Sequence, residues 1–183
     1  MKHGPALAAS GLLAAALLVA GCRSTPYPPL ALASAVDIPR FMGDWYVIAN
    51  IPTAIEKDAH NAVESYRLAA DGSIETTFTF RAGAFDGKHK RYTPRGFIKD
   101  PAASAVWGMQ FVWPIKADYR IAWLAPDYSQ TVIGREKRDY VWIMARTPQI
   151  PDADYERILQ FLTEQGYDVS RIRKVPQRWE RMP

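Results

Sequence analysis

Alternation of apolar and polar residues dominates the first two-thirds of the chain and predicts β-strands. Ile74, Thr76, Phe78 and Phe80 alternate with Glu75, Thr77 and Thr79, which is a period of two, and Asp71-Gly72 just before them is a hairpin turn signal. Further segments have strand character: Trp45–Ile48, Val63–Leu68, Tyr92–Ile98, Val106–Trp113, Tyr119–Leu124, Thr131–Ile133 and Tyr140–Ala145. About eight strands in succession predict an all-β fold, an antiparallel up-and-down β-barrel.

A helical period appears once, after the strands. Tyr155, Ile158, Leu159 and Leu162 fall at positions i, i+3, i+4 and i+7, between a start signal at Pro151-Asp152 and a stop signal at Gly166. A helix with one apolar stripe has to bury that stripe. We therefore expect one C-terminal α-helix packed on the outside of the barrel.

The N-terminus has the pattern of an export signal. Lys2 precedes an apolar run that ends in Ala20-Gly21-Cys22. Small residues directly before a cysteine resemble the bacterial lipobox, which implies cleavage before Cys22 and acylation of its thiol and its new amine. Arg23, in place of an aspartate, implies the outer membrane as destination. The alternative is an ordinary secretory signal that is followed by cysteine by chance.

The composition divides the chain into three parts. Residues 1–21 are the predicted signal peptide, 22–36 hold several prolines among small residues and are predicted to be a lipidated flexible tether, and 37–183 form the folded domain. Cys22 is the only cysteine, so an internal disulfide is excluded. The formal net charge is +4, and loss of Lys2 with the signal lowers it to +3. So small a net positive charge argues against a nucleic-acid partner.

Three separated motifs make the chain resemble the lipocalin family, and within it the bacterial outer-membrane lipoproteins. Gly43-Asp44-Trp45 matches the family's Gly-x-Trp motif on the first strand, Pro126-Asp127-Tyr128 matches the second motif in a later turn, and Arg146 matches the third at the end of the last barrel strand. The resemblance implies that Trp45 lies across a closed end with the Arg146 guanidinium over its indole. Gly43, Trp45, Asp127, Tyr128 and Arg146 are thus expected to be structural. The resemblance also implies a fatty acid or lysophospholipid as ligand, and leaves a homodimer open.

Residues of one parity on a strand share one face of the sheet, which predicts the inner wall of the barrel. The expected ligand-binding residues are Val47, Ala49, Tyr66, Phe78, Phe80, Met109, Phe111, Trp113, Tyr119, Ile121, Trp123, Trp142 and Met144. Aromatic and Met side chains suit an acyl chain. A barrel filled by these side chains is the alternative. Glu64 shares parity with Tyr66, so it either points inward, toward a ligand head group or an internal cation, or is turned to solvent by a bulge.

Signals for other chemistry are weak. Beyond the signal only His60 and His89 remain as histidines, with no metal-ligand spacing and no Gly-rich phosphate loop. We therefore predict a binding protein with no metal, no cofactor and no catalytic residues. A filled structural lipoprotein and a lipocalin-fold enzyme are the alternatives. The basic cluster Lys88, His89, Lys90, Arg91 and Arg95 either attracts membrane phosphates or is a solvated loop.

Overall fold

A computed structural model describes residues 27–102 and 104–179, so the predicted signal peptide and Cys22 lie outside the described residues. The strands are β1 Gly43–Ile51, β2 Ala59–Leu68, β3 Ile74–Ala82, β4 His89–Tyr92, β5 Arg95–Ile98, β6 Val106–Val112, β7 Ile115–Leu124, β8 Gln130–Gly134, β9 Val141–Ala145 and β10 Arg173–Lys174. The helices are α1 Ile38–Phe41, α2 Asp152–Glu164 and a short 3-10 helix, Val169–Arg171. None of the described helices is long and apolar enough to cross a membrane.

The strands form one antiparallel sheet that closes into a barrel. The ring follows the order β1, β2, β3, β5, β6, β7, β8 and β9, and β1 pairs with β9 to close it. Both β4 and β5 pair with β3, so together they occupy one of eight positions, and β10 adds to β1 outside the ring. The predicted strand from Tyr92 to Ile98 is interrupted at Thr93-Pro94, since proline has no backbone N–H to donate. The predicted barrel is confirmed.

Helix α2 packs on the outside of the barrel, as its period predicts. Ile158 and Leu162 are buried in a cluster with Ile143 and Ala145 of β9, whose side chains point away from the interior. The helix begins after Pro151, and Gly166 follows its end with φ of +83°, a conformation that favours glycine. The sheet therefore has two apolar faces, one toward the barrel interior and one toward α2.

Two β-bulges change which residues face the interior. In β1 the register with β9 shifts between Val47 and Ala49, and in β7 the register with β8 shifts between Ile121 and Trp123. Beyond each shift the parity reverses. Ala49 and Trp123 consequently belong to the outer cluster beside α2, so their prediction as interior ligand-binding residues is wrong.

The N-terminal segment is part of the folded body from residue 27 onward. Leu30 is buried in the outer cluster, and Val36 is buried in the interior cluster. The Ala33 amide donates to the Ile121 carbonyl at 2.9 Å, and the Ala31 amide donates to the Gln165 side chain at 2.9 Å. The expectation of a loose tether does not hold for residues 27–36, because Leu30 and Val36 are buried against the barrel.

Candidate ligand-binding site

The closed end of the barrel is formed by the first and third motifs. Trp45 is fully buried, and its indole N–H donates to the Phe41 carbonyl at 2.9 Å. The Arg146 guanidinium lies 3.7 Å from the centre of the Trp45 ring. It also donates to backbone carbonyls of four residues at 2.8–3.1 Å: Arg40, Phe41, Met42 and Asp44. The expected plug is confirmed, and Arg146 ties α1 to the barrel as well as covering the indole.

Gly43 and the second motif complete this end. Gly43 has φ of +94°, a conformation that favours glycine, and a Cβ there would lie 3.4 Å from Nη1 of Arg146. The Asp127 carboxylate caps the turn between β7 and β8 by accepting from the Ser129 amide and hydroxyl. These bonds hold the pKa of Asp127 below its usual value. The Tyr128 hydroxyl accepts from the Asp37 amide at 2.9 Å, so the motif fixes the start of α1.

Above the plug, side chains fill the closed half of the barrel. Val47, Ile121 and Met144 are fully buried, and Tyr66 is 3% exposed. Tyr66 packs edge-on against Trp107, with ring centres 5.7 Å apart. These four predicted binding residues face inward but do not border open space. The filled-barrel alternative thus describes the closed half only.

The open half contains a cavity of about 570 Å³. Its lining comprises Thr53, Ala54, Ile55, Glu56, Glu64, Phe78, Tyr92, Met109, Phe111, Val112, Ala117, Asp118, Tyr119, Arg135, Tyr140 and Trp142. Five of the predicted binding residues lie there: Phe78, Met109, Phe111, Tyr119 and Trp142. Phe80 also belongs to the interior cluster but does not line the cavity, and its ring centre lies 5.2 Å from that of Phe78 and 6.2 Å from that of Tyr92. The volume is typical of small-molecule pockets, which span about 300–1,000 Å³.

Glu64 lies inside this cavity, which settles the question that strand parity left open. It sits on β2 between Trp45 on β1 and Phe78 on β3, and is 9% exposed. Burial raises the pKa of Glu64 to about 8, although a hydrogen bond with the Tyr66 hydroxyl acts in the opposite direction. The Tyr66 and Tyr119 hydroxyls are themselves hydrogen-bonded at 2.5 Å. The deep end of the cavity therefore has a polar group that holds a proton at neutral pH.

A second buried carboxyl belongs to the loop between β1 and β2. Glu56 is 4% exposed and accepts from the Trp142 indole N–H at 3.1 Å and from the Thr53 hydroxyl at 3.0 Å. Burial raises the pKa of Glu56, while these donors lower it. The contact fastens the loop over one side of the mouth and fixes the orientation of the Trp142 ring.

Sequence reasoning missed much of the cavity rim. Tyr140 and Ala117 share the parity of the predicted residues Trp142 and Tyr119, so extending the alternation would have found them. Glu56 and its neighbours are in a loop, where no period exists. Trp113 was predicted as a wall residue but is 82% exposed in the turn between β6 and β7, because the hairpin extends beyond the barrel.

The basic cluster is divided between the two ends of the barrel. Lys88, His89, Lys90 and Arg91 lie at or on β4, whose pairing with the end of β3 places them at the open rim. Arg95 lies at the other end and pairs with Asp71 at 2.9 Å in the β2–β3 turn. Only the first four residues therefore lie at the same rim.

Comparison with known proteins identifies the family. Residues 36–177 match the family model described as a lipocalin-like domain. The chain belongs to the lipocalin family. This lipocalin is 30% identical over 154 residues to temperature-induced lipocalin-1 of Arabidopsis thaliana. The alignment covers 81% of this chain and 83% of that protein. It is 29% identical over 174 residues to the outer membrane lipoprotein Blc of Citrobacter freundii. That alignment covers 94% of this chain and 96% of Blc.

A solved structure agrees with the barrel of this lipocalin. Insecticyanin from the tobacco hornworm Manduca sexta matches with a TM-score of 0.63 at 16% identity, covering 84% of this chain and 87% of that chain. The resemblance inferred from the three motifs is thereby confirmed at the level of family and fold. Family membership and the apolar cavity together support the binding of a small hydrophobic molecule.

Proposed function

We propose that this lipocalin is an outer-membrane lipoprotein that encapsulates a fatty acid or a lysophospholipid, for storage or transport in membrane maintenance. Acylation of Cys22 anchors it. The location is supported by the Ala20-Gly21-Cys22-Arg23 sequence and by similarity to Blc, which is named an outer membrane lipoprotein. The main support for a lipid ligand is the cavity of about 570 Å³, which is open at one end and lined mainly by aromatic and aliphatic side chains.

Encapsulation accounts for binding without covalent chemistry. Transfer of an acyl chain from water to apolar walls is favourable by about 25 cal/mol per Å² buried, from which the cost of association is subtracted. Among the described residues that line the cavity, none is a serine, cysteine, histidine or lysine. We therefore propose a binding protein and no catalytic activity, with Glu64 as a polar contact for the ligand.

Filling the cavity tests the site directly. Ala117 lies on the wall beside Met109, so Ala117→Trp places an indole where the ligand would lie. We expect the affinity of the Ala117→Trp variant for a fluorescent fatty acid or lysophospholipid to fall roughly tenfold or more. Ala70→Trp is the matched control, because Ala70 is exposed in the β2–β3 turn at the closed end. Equal affinities for the wild type and both variants would refute the cavity as the lipid site.

Lipidation is tested separately. Cys22→Ser removes the only cysteine, so metabolic labelling with palmitate should be abolished. Label retained in the variant would contradict acylation at this residue. Native mass spectrometry of mildly purified protein then reports which lipid is carried, and whether one chain or a homodimer carries it.

A further inference from the structure

The hairpin between β6 and β7 ends in an exposed apolar tip. Phe111, Val112, Trp113 and Ile115 are 52%, 68%, 82% and 69% exposed. Single exposed apolar residues are common on soluble proteins, but a contiguous group that includes Trp indicates a surface that contacts something apolar. We call residues 111–115 the β6–β7 tip.

The β6–β7 tip is continuous with the mouth of the cavity. Phe111 and Val112 belong both to the tip and to the cavity lining. Across the mouth, Ile55 in the β1–β2 loop lines the cavity and is 44% exposed. An apolar path therefore runs from the exposed tip into the cavity.

Basic side chains lie on the same rim. Lys88, His89 and Arg91 are exposed at the start of β4, with Asp86 as the acidic residue of that hairpin. An apolar tip flanked by basic residues is complementary to a phospholipid surface, where phosphate groups cover an apolar interior. Trp is suited to that boundary because its ring is apolar and its N–H is polar.

The path of the N-terminal segment leads to this rim as well. The Arg138 guanidinium, in the turn between β8 and β9, donates to the Pro28 carbonyl at 2.7 Å and lies 5.5 Å from the centre of the Tyr27 ring. This turn is at the open end, since its neighbours Arg135 and Tyr140 line the cavity. Tyr27 is five positions after Cys22 in the sequence, a reach of at most about 18 Å. An acylated Cys22 would thus hold the mouth, rather than the closed end, next to the bilayer.

We propose that the open end of the barrel docks on a phospholipid bilayer with the β6–β7 tip inserted at the headgroup level, so that a lipid passes between bilayer and cavity without crossing water. The lipid cargo and the anchor rest on the proposed function. The docking rests on the exposed tip, the basic rim and the position of Pro28.

The single cysteine makes a direct test practicable. Once Cys22 is acylated, a thiol introduced by Ile115→Cys or by Ala70→Cys is the only one that reacts with an environment-sensitive fluorophore. The acylated full-length mature protein is placed in vesicles of phosphatidylethanolamine and phosphatidylglycerol that contain brominated acyl chains. We expect the label at position 115 to be quenched at least about twofold and the label at the closed end, position 70, to be unaffected. Trp113→Ser should reduce the quenching at position 115.

Each outcome separates docking from the proposed function. If neither the label at position 115 nor the label at position 70 is quenched, docking is overturned. This holds even if lipid titration shows binding in the cavity and palmitate labelling shows acylation of Cys22. Quenching at position 70 alone would reverse the orientation and also overturn it. If the wild-type protein itself reacts with the fluorophore, the anchor is refuted. The same two labels are then compared in a Cys22→Ser background with added vesicles, where absence of quenching at 115 refutes docking by the tip.

Discussion

At the scale of single residues, Glu64 is the clearest case of one side chain that changes the chemistry of a site. An apolar cavity would accept any hydrophobic molecule, whereas a buried carboxyl with a pKa of about 8 requires a ligand atom that tolerates a hydrogen-bond donor. Glu56 contributes a second buried carboxyl nearby. Strand parity alone could place Glu64 on a face but could not decide between inward and bulged conformations.

The raised pKa of Glu64 predicts a pH dependence of stability. Between about pH 4.5 and 8 the native state keeps a proton that the unfolded chain has lost, so the free energy of unfolding decreases as the pH rises. Glu64→Gln cannot ionise and should lose this decrease. We expect it to gain about 4 kcal/mol relative to wild type between pH 5 and pH 9, since about three pKa units separate pH 5 from the pKa of Glu64 and one unit corresponds to about 1.4 kcal/mol. Urea unfolding at both pH values measures it. An equal pH dependence of the free energy of unfolding for wild type and Glu64→Gln would contradict the burial of Glu64. Glu164→Gln is the control, because Glu164 is exposed on α2 and its substitution should leave the pH dependence as in wild type.

The Trp45–Arg146 contact predicts a coupling energy. Trp45→Ala should cost about 3–5 kcal/mol as the truncation of a fully buried aromatic residue. Arg146→Ala should cost less, and the double variant should deviate from additivity by about 0.5–2 kcal/mol because the guanidinium stacks on the indole. A cycle of Trp45→Ala with Arg157→Ala, on the exposed face of α2, should be additive. Additivity in both cycles would contradict the contact.

At the scale of elements, periodicity predicted strands and the helix correctly and failed at the bulges for a physical reason. Val47-Ile48-Ala49 and Ile121-Ala122-Trp123 are runs of consecutive apolar residues, so both parities look buried and the pattern contains no sign of a register shift. Both faces of the sheet are in fact buried at these points, one by the interior and one by α2 and the N-terminal segment. Alternation can assign a face only where one face is polar.

The division of β7 into a filled and an open half predicts opposite effects of the same substitution. Ile121 is fully buried in the closed half, so Ile121→Trp should overpack the core and cost about 1–3 kcal/mol. Ala117→Trp, on the same face of β7 but beside the cavity, should cost less stability and more ligand affinity. Urea unfolding and lipid titration of both variants separate the two quantities. If Ile121→Trp lost affinity without losing stability, the cavity would extend deeper than the structure shows.

At the scale of the whole molecule, the N-terminal segment lies between the barrel and the proposed anchor at Cys22. A lipidated cysteine on a loose tether would leave the barrel free to rotate above the membrane. Residues 27–36 instead pack along the barrel, bonded to Ile121, Gln165 and Arg138. Composition could not predict this, because one or two well-placed apolar side chains are enough to hold a short proline-containing segment on an existing surface. An anchor at Cys22, as proposed, would therefore set the orientation of the mouth as well as its distance from the bilayer.

Two leucines in this segment test whether it belongs to the folded body. Leu30 is 3% exposed in the cluster with α2, whereas Leu32 is 39% exposed. Leu30→Ala should reduce the free energy of unfolding by about 2–4 kcal/mol, as expected for a buried leucine, and Leu32→Ala by less than about 1 kcal/mol. Urea unfolding of the two variants, which remove the same atoms two residues apart, gives the difference directly. Equally small losses would mean that the segment leaves the barrel in solution, and the fixed orientation of the mouth would then have to come from the β6–β7 tip alone.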